Sequence, residues 1–242
     1  MNKVIHYCWF GKNEKSELIA KCIESWKTFF PDYEIVEWNE SNFDINCCDY
    51  VREAYNAKKW AFVSDYCRIL VLFLYGGVYF DTDVQIIKRT SAFEHNCIGF
   101  EKKKLLNPGL VLAAEKGNWF CKEMLDAYNR DHFLLDNSFN YKTICDRSTE
   151  IFLRKGLKLN NKTQKVLDFV VYSTEYFNPK GTADGEPIIT QNTVSIHLFN
   201  GSWVSEDYVH SHRNIKSRIY GVVKRLFGAR FASWLRRLVN NG

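Results

Sequence analysis

The chain has 242 residues, of which 46% are hydrophobic and 25% are charged, and its formal net charge is +5. This composition is ordinary for a globular protein, and it excludes collagen, a disordered tail protein and a coiled coil. A chain of this length buries enough surface to fold without disulfides. The length predicts one large domain, or one domain with an appendage.

The cysteines and the apolar runs bear on the cellular setting. The eight cysteines include no CxxC pair, which excludes zinc-ribbon and thioredoxin-type motifs. The apolar run from Val4 to Phe10 is interrupted by His6 and is too short for a signal peptide. The longest apolar stretch, Ile69 to Tyr75, is too short to span a membrane. We therefore expect a reducing, cytoplasmic setting.

The first forty residues predict a βαβ unit. Lys3–Phe10 and Tyr33–Trp38 have the β-branched and aromatic residues of strands, and Ser16–Phe29 has apolar residues at helical spacing. Such a unit has parallel strands and a right-handed crossover. Nucleotides bind beyond the carboxyl ends of parallel strands, where Trp9 and Asn39 are expected.

The remaining chain alternates helices and strands, which indicates an α/β fold. Gly76 and Gly77 end one helix, and a charged hairpin is expected around Lys102–Lys104. Residues 131–184 have a poor pattern. The predicted helices are Tyr50–Ala61, Ser64–Tyr75 and Trp119–Tyr128, and the predicted strands are Val78–Asp83, Cys97–Glu101, Gly109–Ala114 and Val194–Phe199.

The sequence Asp81-Thr82-Asp83 ends an apolar run. In a strand, residues i and i+2 point to the same side, so both carboxylates are predicted to emerge together. Adjacent buried carboxylates repel each other unless a cation lies between them. Mg²⁺ and Mn²⁺ suit carboxylate and phosphate ligands, and a metal on a diphosphate neutralises the leaving group. This pattern indicates nucleotide-sugar transfer.

Asp65 and Arg68 are three residues apart and so share a helix face. One interpretation is a surface ion pair, which contributes under about 1 kcal/mol. However, the helix that they open is too apolar for the surface. We therefore expect this pair to face a cavity.

Other candidates have simpler explanations. The Asn107–Gly109 segment is predicted to be a turn, although its asparagine is also a candidate contact for a donor sugar. Glu101 is interpreted as a surface charge beside lysines, with a catalytic-face carboxylate as the alternative. His210 and His212 are assigned to a solvated loop rather than a metal pair, and Trp38 to the core.

Three blocks resemble a known family. The run SDYCR…LYGGVYFDTD resembles the DXD-containing sugar-binding region of glycosyltransferase family 32, which includes yeast-type mannosyltransferases and bacterial capsule and lipopolysaccharide enzymes. It is also similar to the catalytic domain of the large clostridial glucosylating toxins. IHYCWFG at the N-terminus and the segment from His197 to Trp203 resemble the family's opening and closing elements, so the resemblance covers about residues 1–205.

The resemblance implies a GT-A fold, that is, a Rossmann-like mixed central sheet flanked by helices. It also implies a UDP-sugar donor, Mn²⁺ or Mg²⁺, and retention of the anomeric configuration. Asp83 is the implied direct metal ligand, together with Asp81. The toxins have a carboxylate near the position of His197, so whether this imidazole completes the metal sphere is left open.

The resemblance also implies contacts to the donor. Trp9 would stack on the base, and Asp65 and Arg68 would hold the sugar and the ribose. Tyr79 would line the donor pocket with Asp81. His197 or Asn200, together with Ser202 and Trp203, would close over the diphosphate.

The C-terminal segment differs in charge from the rest. Eight basic residues and no acidic residue follow Tyr208, so residues 1–207 have a net charge of −3. Two apolar stripes at helical spacing predict a basic amphipathic helix, and such helices bind anionic membranes. We expect a glycosyltransferase domain over 1–207 and a tail over 208–242. The tail would bind the inner face of the plasma membrane, near a lipid-linked saccharide acceptor, or alternatively dock on the domain.

Two other functions account for part of the sequence. Aspartyl-phosphate-type phosphatases also have Asp-x-Asp after an apolar strand, but there it follows the first strand, and Thr or Val comes two places after the second Asp. Here Gln85 occupies that place. A nucleic-acid-binding module would use the basic tail. That function does not explain the acidic residues Asp65, Asp81 and Asp83. We therefore expect no nucleic-acid partner.

Overall fold

A computed structural model describes residues 1–102, 104–136, 138–181 and 185–200. Met1–Asn200 forms one compact unit. Ser202, Trp203, His210, His212 and the predicted C-terminal helix lie outside the described residues, as does the predicted domain boundary at 207. These remain predictions from the sequence.

The N-terminal βαβ unit is confirmed. β1 (Val4–Cys8) and β2 (Glu34–Trp38) are parallel, and α1 (Glu17–Phe29) connects them. Ser16 caps α1, because its hydroxyl accepts a hydrogen bond from the Ile19 N–H at 3.4 Å. The carboxyl ends of β1 and β2 therefore lie at one edge of the sheet, as predicted.

The boundary between the next two helices differs from the prediction. α2 spans Asp49–Asn56, and α3 spans Trp60–Tyr75. Lys58 adopts a left-handed conformation with φ of 56°, which breaks the helical path between them. Asp65 and Arg68 therefore lie inside α3 rather than at its N-terminal end.

The predicted strand Val78–Asp83 is wrong in its second half. β3 spans Gly77–Tyr79, and β4 spans Val84–Ile86. Asp81-Thr82-Asp83 forms the turn between them, and the Val84 N–H donates to the Asp81 carbonyl oxygen at 3.1 Å. β4 leaves the main sheet because it pairs with β11 (Ser195–His197) instead. The two carboxylates thus converge through a turn and not through strand alternation.

The central hairpin and the poorly patterned region complete the fold. β5 and β6 form the predicted hairpin, with Lys102 opposite Leu105. A short 3₁₀ turn at Ala92–Glu94 precedes β5. The elements are β5 (Cys97–Lys102), β6 (Leu105–Ala114), α4 (Trp119–Tyr128), β7 (Leu134–Leu135), β8 (Ser138–Phe139), α5 (Ile144–Arg154), β9 (Gln164–Val166), β10 (Phe169–Tyr172) and α6 (Thr174–Phe177).

The main sheet has seven strands in the order β2-β1-β3-β6-β5-β10-β9. β1 is parallel to β2 and β3, and β5 is parallel to β10, whereas β6 is antiparallel to both of its neighbours. One apolar cluster packs α2 to α5 on one face, and a second cluster packs α1 and α6 on the other. The predicted α/β class, with a mixed central sheet flanked by helices, is confirmed.

The cysteines and the helices were also the basis of the predicted cellular setting. All eight cysteines are free thiols. Among the residues that the structure describes, no helix combines the length and the apolarity that crossing a membrane requires.

Candidate metal centre and donor site

Asp81, Asp83 and His197 form a cluster of three possible metal ligands. One ligand atom from each residue lies within 4.8 Å of those of the other two. The pairing of β4 with β11 places His197 opposite Val84, which directly follows Asp83. The imidazole thus reaches the two carboxylates from a distant part of the chain.

Asp83 is held from several sides. Its Oδ1 lies 3.2 Å from His197 Nε2, and its Oδ2 accepts the Asn200 N–H at 2.9 Å. Burial alone would raise the pKa of Asp83, but these two hydrogen bonds hold it below its usual value. Burial likewise opposes the charged form of His197, yet the Asp83 carboxylate raises the pKa of the imidazole. Asp83 is therefore ionised at neutral pH.

Asp81 belongs to a second set of contacts, with residues of α3 and β3. Its Oδ1 lies 3.1 Å from Arg68 Nη1 and accepts a hydrogen bond from the Tyr79 hydroxyl at 3.0 Å. The Arg68 guanidinium lies over the Tyr79 ring, 4.6 Å from its centroid. Arg68 and Tyr79 therefore fix the orientation of this carboxylate.

The Asp65–Arg68 pair is not a surface ion pair. Asp65 Oδ1 lies 2.9 Å from Arg68 Nη2, and the two side chains are only 11% and 5% exposed. Burial raises the pKa of Asp65 to about 6, although Arg68 opposes the shift. Arg68 thus contacts both the buried Asp65 and the partly buried Asp81, and it partly compensates the charge of both carboxylates.

Residues of α5 support Asp65 from behind, and the sequence pattern did not indicate them. The Ile144 N–H, in the first turn of α5, helps to lower the pKa of the Asp65 carboxyl against the effect of burial. Arg147, also on α5, is buried against the Tyr128 ring, with its guanidinium 4.6 Å from the ring centroid. Its Nη2 pairs with Asp131 Oδ2 at 2.5 Å. The poorly patterned region therefore contributes to the site.

Asn107 and Glu101 contact each other. Their positions correct two predictions, namely the turn at Asn107–Gly109 and the surface position of Glu101. Asn107 is buried within β6, where the register with β5 shifts, and its Oδ1 accepts the Gly109 N–H at 2.6 Å. The predicted turn is thus a local irregularity inside a strand. Asn107 Nδ2 donates to Glu101 Oε2 at 2.7 Å. Glu101 is 13% exposed, so it is not a surface charge.

Trp9 and Asn39 follow the ends of β1 and β2, as predicted. Trp9 is partly buried, with its Nε1 donating to the Asn13 carbonyl oxygen at 2.7 Å. The Lys15 ammonium lies 5.6 Å from the Trp9 ring centroid. The Asn39 amide is engaged by Glu37 at 3.0 Å and by the Ser41 hydroxyl at 2.6 Å. Asn39 therefore orders its own turn.

The contacts of Trp38 agree with its assignment to the core. Its ring stacks on Tyr75, with centroids 5.6 Å apart, and its Nε1 donates to His6 Nδ1 at 3.1 Å. This indole is committed to packing within the fold.

The cluster of Asp81, Asp83 and His197 fits a divalent cation. Two carboxylates and an imidazole form a mixed oxygen and nitrogen donor set that suits Mn²⁺, and the carboxylates also suit Mg²⁺. His197 Nδ1 is buried and has no hydrogen-bond partner among the described residues. A buried polar atom of this kind usually has a partner.

The fold and the site define an α/β protein with a metal-capable carboxylate cluster beside its central strands. Residues 16–103 match the family model described as "Glycosyltransferase sugar-binding region containing DXD motif". This segment contains Asp65, Arg68, Asp81 and Asp83, and it confirms the resemblance stated from the sequence. This match over part of the chain supports a sugar transferase. The phosphatase and nucleic-acid-binding alternatives are set aside.

Two solved structures are similar to the chain. One, named "PaToxG Glycosyltransferase", is 19% identical, with 64% of this chain and 69% of that chain covered and a TM-score of 0.48. The other is a glycosyltransferase involved in the glycosylation of the major capsid of PBCV-1. It is 10% identical, with 86% of this chain and 98% of that chain covered and a TM-score of 0.44. No curated protein matches the chain.

Proposed function

We propose that the protein transfers a sugar from a UDP-sugar donor to a saccharide acceptor, with Mn²⁺ or Mg²⁺ and with retention of the anomeric configuration. The observation that carries this proposal is the cluster of Asp81, Asp83 and His197, whose ligand atoms lie within 4.8 Å of one another. Residues 16–103, which contain Asp81 and Asp83, match a sugar-binding region. UDP and retention follow from the resemblance to the clostridial toxins and their bacterial relatives.

The residues of the site have separate tasks in this reaction. Asp81, Asp83 and His197 would hold the cation, which neutralises the charge that develops on the departing diphosphate. Arg68 holds Asp81 in one orientation through its 3.1 Å contact, and it pairs with Asp65 on the other side. Fixed charges of this kind stabilise a transition state without reorganisation.

The remaining site residues are assigned to the donor. Trp9 stacks on the base beyond the end of β1, and Asn39 orders the neighbouring loop. Tyr79 lines the pocket beside Asp81, and Asn107 approaches the sugar from β6. Asp65 and Arg68 hold the sugar and the ribose. Ser202 and Trp203 close over the diphosphate, as the resemblance implies.

A thermal-shift panel tests the donor and the metal together. We expect UDP-sugars to raise the melting temperature in Mn²⁺ more than GDP-sugars do, and to have little effect in EDTA, because a ligand stabilises the state that binds it. A product assay follows release of UDP and the anomeric configuration of the product. Equal shifts with and without metal would contradict metal-dependent binding, and an inverted product would contradict retention.

We assign the basic C-terminal segment to the membrane. Eight basic residues after Tyr208 contrast with a net charge of −3 for residues 1–207. Each basic residue near an anionic bilayer contributes about 1 kcal/mol, and salt screens this attraction over about 8–10 Å. The protein would then act at the inner face of the plasma membrane on a lipid-linked acceptor, in synthesis of a capsule or O-antigen polysaccharide.

Deleting residues 213–242 tests the membrane assignment. We expect the truncated protein to hydrolyse its donor at the wild-type rate but to lose sedimentation with anionic vesicles. Wild-type sedimentation should decrease as salt increases, and neutral phosphatidylcholine vesicles serve as the control. A wild-type protein that fails to sediment with anionic vesicles at low salt would disprove the assignment. Unfolding of the truncated protein would show that the tail belongs to the folded domain.

A further inference from the structure

Glu101 is a mostly buried carboxylate that forms no strong ion pair among the described residues. Its side chain is 13% exposed, and burying a carboxylate is costly unless it is paired. Among the described residues, the cation beside it is the Lys102 ammonium, which lies 3.6 Å from Oε1 and is 60% exposed. An exposed lysine at this distance contributes little stability. A carboxylate retained in this environment therefore points to a binding task.

The orientation of Glu101 is fixed by Asn107. Asn107 Nδ2 donates to Glu101 Oε2 at 2.7 Å, while Asn107 Oδ1 accepts the Gly109 N–H at 2.6 Å. Because both ends of the amide are engaged, Asn107 positions Oε2 rigidly. Oε1 remains available to a ligand, because its contact among the described residues is the weak one with Lys102.

Glu101 and Asn107 lie beside the metal cluster without belonging to it. A methyl group on Gly109 would come within 1.9 Å of Asp81 Oδ2 and 2.9 Å of Asn107 Oδ1, so both oxygens border the same small space. Cys145 Sγ lies 3.9 Å from Glu101 Oε2. Glu101, which is held by Asn107, therefore borders the metal cluster on the side of Gly109.

We propose that Glu101 determines donor specificity, because its carboxylate accepts a hydrogen bond from a hydroxyl group of the transferred sugar. The inference rests on the proposed function, since it requires a nucleotide-sugar donor. A site built to hydrogen-bond a hydroxyl group discriminates strongly against donors that lack it or present it differently. Epimers of the sugar would differ in this contact, whereas UDP alone would not make it.

The test compares Glu101→Gln with the wild type over a panel of UDP-hexoses and UDP-N-acetylhexosamines. We expect kcat/KM for the best donor to fall at least about 10-fold, with less than a twofold change for its epimers. Calorimetry should show weaker binding of the best UDP-sugar and unchanged binding of UDP with Mn²⁺. The matched control is Glu150→Gln, an exposed carboxylate paired with Lys142, which should change none of these values.

The outcomes separate this inference from the proposed function. If the wild type binds and hydrolyses no nucleotide sugar, the proposed function fails. If the wild type is active and Glu101→Gln keeps the same ranking of donors, only the role of Glu101 is wrong. If Glu101→Gln has a lowered melting temperature, Glu101→Asp is tested in its place. This variant keeps the negative charge but shortens the side chain by one methylene group. The same loss of ranking is expected, and an unchanged ranking would again overturn the inference.

Discussion

Asp83→Asn should lower sugar transfer by at least about 10²-fold while the protein stays folded. The change removes one negative charge from the cluster of Asp81, Asp83 and His197, and losses of this size follow removal of a group that stabilises a developing charge. The asparagine side chain keeps an oxygen that can accept the Asn200 N–H, which lies 2.9 Å from Asp83 Oδ2. Initial rates at saturating Mn²⁺ and calorimetry of Mn²⁺ binding measure the two effects.

The control for this variant is Asp126→Asn. Asp126 is an exposed carboxylate on α4 that pairs with Lys122 at 3.0 Å, so its loss should leave both rate and metal affinity unchanged. Circular dichroism and the melting temperature establish that both variants are folded. Turnover of Asp83→Asn near the wild-type rate at saturating Mn²⁺ would rule out Asp83 as the metal ligand.

Gly109→Ala should lower transfer by on the order of 10²-fold with only a small loss of stability. The added methyl group would lie 1.9 Å from Asp81 Oδ2, so the carboxylate must move. Because this atom ends a side chain and the clash involves no backbone atom, the fold can adjust. Moving Asp81 breaks its contacts with Arg68 at 3.1 Å and Tyr79 at 3.0 Å, and misplacing a catalytic group by about 1 Å costs about 10²-fold.

Gly99→Ala is the matched comparison, because it adds the same methyl group on the neighbouring strand. There the nearest atom, 3.0 Å away, belongs to the buried Phe177 ring, so the expected loss is in melting temperature rather than in turnover. The two glycines thus separate an effect on the site from an effect on the core. Wild-type turnover and metal affinity in Gly109→Ala would show that the position of Asp81 does not matter.

The sequence by itself determined the elements whose signals are local. Ser16 and the apolar spacing after it specify α1, and the flanking β-branched runs specify two strands whose pairing is parallel. The DXD motif and the pair formed by Asp65 and Arg68 were recognised from residue type and spacing. Buried charges in an apolar context are costly, which is why these residues indicated a site.

Only the tertiary structure decided how the site is assembled. β4 has three residues and leaves the main sheet to pair with β11, so Asp83 meets the Asn200 N–H, 117 positions further along the chain. Strand pairing of this kind depends on long-range hydrogen bonds and not on local propensity. The burial of Glu101 likewise depends on Asn107 and on the shift in register between β5 and β6. Local sequence favoured exposure for Glu101 because lysines follow it, whereas its burial is set by neighbours that the fold supplies.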